Sequence, residues 1–160
     1  MTRAILDPIR DAGFAFGIWP WAKGPLWRLR ETVTFSMPAI TLGERYYFGG
    51  DFIIPAGYET DKASIPSLFW GPPFNYTPDG IYTDAALWHD FLCDLLKGGS
   101  PWLRAALGGR LPPAPPAWAV HEFFRQELHK AGVRSGKAEG MGTAVRWFGP
   151  KGKAYFWQKK

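Results

Sequence analysis

The chain has 160 residues, of which 46% are hydrophobic and 21% charged, and its 19 Lys and Arg against 14 Asp and Glu leave a net charge of +5. That is enough apolar material for one buried core, which excludes a chain disordered throughout, and too little positive charge for a dedicated nucleic-acid coat. A single cysteine, Cys93, excludes an internal disulfide framework and a Cys-rich zinc site. No apolar run reaches the roughly 18 residues of a membrane span, and Asp7 and Pro8 interrupt the first ten residues, so neither a span nor a signal peptide is expected.

Residues 1–31 mix aromatics with Gly and Pro, as in Phe14-Ala-Phe-Gly-Ile-Trp-Pro-Trp21, and hold neither a helical nor an alternating period. They are expected to form an irregular N-terminal arm. Residues 32–149 read as a single α+β domain. In it, Thr32–Met37 is rich in β-branched and aromatic residues. Glu44–Phe48, Gly49-Gly50-Asp51 and Phe52–Ile54 read as strand, turn and strand of a hairpin. A long loop follows from Gly57 to about Tyr82, and loops of that length in small domains are often functional.

Thr83 to about Leu96 is the first helix, with Leu87, Phe91 and Leu95 on one stripe, Thr83 or Asp84 as its cap and Gly98-Gly99 as its stop. Residues 98–116, ending in Leu111-Pro-Pro-Ala-Pro-Pro116, read as a Pro-rich inserted surface loop that has room for a short helix over Pro101–Leu107. A second helix is predicted over Ala117–Ala131, closed by Gly132, and a third over Lys137–Phe148. The architecture is thus a small antiparallel sheet or hairpin packed on about three helices. Residues 150–160 form a basic aromatic tail, suited to an acidic surface or to single-stranded nucleic acid without sequence specificity.

Three histidines and several carboxylates carry the candidate chemistry. His89-Asp90 lies within the first helix and His121-Glu122 near the start of the second. His89, His121 and Asp61, the last in the loop motif Thr60-Asp-Lys-Ala-Ser64, form a mixed N/O ligand set with an open position for a divalent ion such as Zn²⁺. Asp90 or Glu122 would then be the general base, with Thr60 and Ser64 as polar support. Each of these residues also has an ordinary structural role open to it: an Asx-turn for Asp61, a cap for Ser64, a satisfied interior imidazole for His89, a surface pair for His121-Glu122, and a buried thiol for Cys93.

Together the motifs Ile54-Pro-Ala-Gly-Tyr-Glu-Thr-Asp-Lys-Ala-Ser-Ile-Pro66, Tyr82-Thr-Asp-Ala-Ala-Leu-Trp-His-Asp-Phe-Leu92, Phe124–Val133 and Ala144-Val-Arg-Trp-Phe-Gly149 resemble the phage and prophage domain-of-unknown-function family 1353, over about residues 32–149. The resemblance implies a small α+β domain and no established activity. The sequence departs from the family pattern twice: Cys93 stands where a Tyr is usual, and Val120-His121 where Ala-Asp is usual. Phage-type resemblance, the aromatic N-terminal arm and the basic aromatic tail together lead to the expectation of a virion-associated structural or adaptor protein of the tail or head-tail region, non-enzymatic or with a vestigial polar or metal site. Its partners would be other phage proteins or further copies of itself, in the virion or the host bacterial cytoplasm. The alternative is a small metal-dependent hydrolase acting on cell-wall peptide or amide bonds during infection or lysis.

Overall fold

Along β3 (Val33–Met37) buried and exposed residues alternate strictly, and its partner β6 (Gly50–Ile54) buries Phe52 and Ile54. The antiparallel register sets Val33 against Ile54 and Phe35 against Phe52, so the buried residues of both strands share one face. The same register continues into β4 (Ile40–Leu42) and β5 (Arg45–Tyr47), where Ile40 faces Tyr47 and Leu42 faces Arg45. The four strands are therefore the two arms of one long hairpin, interrupted where Pro38 cannot donate to the ladder. The computed structural model describes residues 4–10, 26–60 and 81–149.

The hairpin expected between Glu44–Phe48 and Phe52–Ile54 does not form, because the chain reverses at Gly43-Glu44 instead. Gly43, at φ +60°, occupies the first central position of a two-residue turn, where glycine is favoured. Gly49 serves a different purpose. It has φ +87°, and a Cβ there would lie 2.5 Å from the Met37 carbonyl oxygen across the hairpin. The glycine signal marks a close backbone approach at the ladder break and not a chain reversal.

Part of the N-terminal stretch expected to be irregular is strand. β1 (Leu6–Arg10) pairs antiparallel with β2 (Leu26–Leu29), which pairs with β7 (Glu59–Thr60) to make a three-stranded sheet. Its order comes from partners that are distant in sequence, which no local period records. Leu29 is fully buried, and its backbone exchanges hydrogen bonds with Tyr58 and Gly57 at 2.8 and 2.7 Å. The aromatic run at residues 14–21 and the tail at 150–160 lie outside the described residues.

Among the described residues the helices are α1 (Thr83–Leu96), α2 (Pro101–Ala106), α3 (Ala117–Lys130) and α4 (Ser135–Phe148). The expected side-chain cap on α1 is absent: its N-cap is Tyr82, and Asp84 instead accepts a hydrogen bond from the Ala4 amide at 3.3 Å. The Pro-rich segment is anchored in the core as well as running over the surface. Ser100 caps α2, Leu103 is completely buried, and Leu111 packs over the bare Cα of Gly99. α4 begins two residues earlier than its pattern suggested. Its Gly142 lets α3 come close, since a Cβ there would sit 3.0 Å from Arg125 Cγ.

The core explains much of the aromatic excess. Phe35 stacks on Phe52 and Trp88 with centroids 5.3 Å apart in each case, and on Phe123 at 6.1 Å, while Phe91 meets it edge-on at 6.2 Å. Offset and edge contacts of this kind stabilise a core beyond their buried area. A second cluster, including Phe124, Leu128, Met141 and Val145, joins α3 to α4. The fold is α+β: among the described residues small antiparallel sheets accompany four helices, and none of these helices is long and apolar enough to cross a membrane.

The two hairpin glycines predict different penalties. Gly43→Ala, with nothing within 4 Å of the new Cβ, should cost about 1–2 kcal/mol of backbone strain. Gly49→Ala should cost more, because the same strain is joined by a backbone clash. Urea midpoints of the two variants measure this, and equal losses would contradict the close approach.

Candidate functional site

α1 is buried on nearly every side, 10 of its 14 residues being inaccessible, and this brings His89 inside even though it lies off the Leu87–Phe91–Leu95 stripe. His121 enters from the first turns of α3, which packs along α1. The two imidazoles meet with His89 Nε2 3.1 Å from His121 Nδ1. Their centroids are 5.3 Å apart, close to the nitrogen separation plus the two ring radii, so the nitrogens point nearly at each other. One ring donates an N–H and the other accepts it on an unprotonated nitrogen. Phe124 covers His89 with its ring centroid at 4.6 Å, and the Cys93 thiol lies 3.5 Å from His89 Nε2.

His89 and His121 are 1% and 3% exposed. Burial, and then the neighbouring His121, push the His89 pKa down to about 3. Burial, reinforced by Asp90, pushes the Cys93 thiol well above its usual range. At neutral pH the cluster thus holds a thiol at Cys93 and an uncharged imidazole at His89, with no thiolate nucleophile.

Asp90 turns away from this pair toward the loop. The Thr60 hydroxyl donates to Asp90 Oδ2, so the chain leaving β7 starts its long connector against α1. Asp61 and Ser64 lie outside the described residues. Glu122, expected as a general base, sits in an ion cluster. Arg125 donates to it twice, at 2.6 and 3.0 Å, Gln126 at 3.2 Å and Arg146 of α4 at 3.5 Å. The Arg125 guanidinium holds this carboxyl below its ordinary range, and its lone pairs are occupied, which makes it a poor proton acceptor.

The structure thus brings His89 and His121 together, joins Thr60 to Asp90, and leads Glu122 elsewhere. Among the described residues no three His, Cys, Asp or Glu side chains form a group able to hold a metal ion. Sequence reasoning missed the wider ion cluster, in which Arg125 also binds Glu139 at 2.6 Å and His129 meets Glu139 at 3.0 Å. The spacing of Glu122 and Arg125 was a visible hint, whereas the links to α4 depend on tertiary packing. The two departures noted above, Cys93 and His121, are the two residues whose polar atoms approach His89.

A family profile described as protein of unknown function (DUF1353) matches residues 43–145. An uncharacterized protein, y4jT of Sinorhizobium fredii, is 28% identical over 129 residues that make up 79% of this chain. The chain spans about a third of that relative's length, the aligned part being 30% of it. No solved structure matches the chain.

The depressed pKa of His89 predicts a pH-dependent stability. The unfolded chain takes up a proton near the ordinary value of 6.5, which the folded chain refuses until about 3. The stability is therefore fully present above pH 6.5 and is lost as pH falls below it, with a slope approaching about 1.4 kcal/mol per pH unit. Glu122 and Glu139, held below their ordinary value of 4.5, add to the loss only in more acid solution. Between pH 6.5 and 4.5 the urea midpoint should fall in the wild type and fall less in a His89→Leu/His121→Leu double variant. A flat wild-type profile in that window would contradict the sealed, neutral pair.

Proposed function

The chain belongs to the DUF1353 family, and from that membership and the sealed histidine pair we propose a phage- or prophage-encoded, virion-associated structural or adaptor protein of the tail or head-tail region, acting by contact and not by turnover. The observation that carries this reading is the pairing of His89 with His121 at 3.1 Å in the interior, where two chemically capable side chains serve to join α1 to α3. Glu122 is likewise engaged in joining α3 to α4. Large apolar side chains meanwhile face solvent, with Phe48 85% and Trp147 72% exposed, and these suit contact with neighbouring proteins or further copies. The match to a minor part of a longer relative suits a module that works within larger assemblies.

A gene deletion and particle proteomics test the proposal. Prophage induction should yield particles containing this protein at a fixed ratio to the major structural proteins, and deletion should abolish or misassemble them. Intact, infectious particles lacking the protein would refute it.

A second reading, the small metal-dependent hydrolase acting on cell-wall peptide or amide bonds, is favoured by the Thr60–Asp90 hydrogen bond, which starts the Asp61-bearing connector on the helix that carries His89. An ion there would use His89, His121 and Asp61 and would supply a water of lowered pKa, with Asp90 as base. The fit is poor at the histidines, whose nitrogens face each other and would have to turn before both could bind one ion. On this reading Zn²⁺ at 100 times its dissociation constant should raise stability by about 2.7 kcal/mol. An unchanged melting temperature after metal addition would count against it.

A further inference from the structure

Among the described residues, the histidine pair is covered by the helices that carry it, by Phe124, and by the end of α4. At that end Gly149 lies directly on His121: a Cβ on Gly149 would come within 2.7 Å of His121 Cε1 and 2.2 Å of the Val145 carbonyl oxygen. Gly149 has φ −70° and ψ 165°, an extended conformation that any residue adopts, so it is close packing and not backbone geometry that favours glycine here. The covers are unequal in strength. α1 and α3 are core helices, whereas the last turn of α4 exposes Arg146 and Trp147 to solvent and is closed by a backbone hydrogen bond from Gly149 N to Val145 O at 2.7 Å. Fraying helix ends open locally at a small fraction of the free energy of global unfolding.

We propose that residues 146–149 form a lid over the His89–His121 pair, and that fraying of this turn, not unfolding of the domain, is the route by which solvent or a small ligand reaches His121. Opening breaks the Gly149–Val145 hydrogen bond and the 3.5 Å contact of half-exposed Arg146 with Glu122, and lifts the glycine from the imidazole edge, while Val145 stays buried in the α3–α4 cluster. The inference holds whether the domain acts by contact or by catalysis, because it concerns access alone.

Carbethoxylation of histidine by diethyl pyrocarbonate, followed by peptide mapping, tests it. The chain has three histidines, and partly exposed His129 is the internal control. In the wild type at neutral pH, His121 should react more slowly than His129, at a rate insensitive to urea below the unfolding transition, as local opening requires. In Gly149→Ala, where the added methyl props the turn open, His121 should react about tenfold faster or more, with His129 unchanged. A wild-type rate that climbs with urea in parallel with global unfolding would overturn the lid, as would a folded Gly149→Ala protein whose His121 is as protected as before. Should the variant not fold, the urea dependence of the wild type decides the matter.

Discussion

An imidazole without a counter-charge is buried at low cost only when it is neutral and its polar nitrogens find partners, and the contact between His89 and His121 meets that demand for one nitrogen of each ring. An uncompensated buried polar group costs about 1–3 kcal/mol, and a buried charge more. Each histidine is the other's solution, which fixes α1 against α3 at one register. The consequences extend outward. The same burial, reinforced by Asp90, holds the neighbouring Cys93 as a thiol, and Asp90 itself binds Thr60 at the end of β7. Glu122, next along the helix, faces the other way and joins α3 to α4 through Arg125 and Arg146.

The aromatic core sits beside this polar seam. Phe35 is its centre, meeting rings from the hairpin partner and from both central helices. One strand residue thus joins the sheet to α1 and α3 together, which suits a chain of this size in which large side chains bury much area per residue. The polar and apolar contacts have different tasks. The rings and the aliphatic residues around them supply the burial, and the histidine and arginine contacts link α1 to α3 and α3 to α4.

Much of this was legible from the residues. The helix stripes, the stop at Gly98-Gly99 and the closure at Gly132 follow from period and turn chemistry, and residue type alone offered His89 and His121 as members of one site. The hairpin was misplaced for a definite reason: glycine marks both turns and close approaches, and only the register separates Gly43 from Gly49. The strands at Leu6–Arg10 and Leu26–Leu29 left no local trace, because they are held by partners far along the chain. The site was half legible. Convergence of the two histidines could be anticipated, but their head-on orientation depends on the angle between α1 and α3, and the arginine contacts that occupy Glu122 come partly from α4. A motif that suggests ligands by residue type does not specify whether those side chains face an ion or each other.

The protonation state of the two imidazoles decides the account most directly. Long-range ¹H–¹⁵N correlation spectra of the histidine-labelled protein, recorded from pH 8 to pH 4.5, report it ring by ring. The sealed contact predicts that His89 stays neutral throughout, with one proton between His89 Nε2 and His121 Nδ1. Titration of His89 near pH 6.5 in the folded protein would show it open to water and would contradict the account at its root.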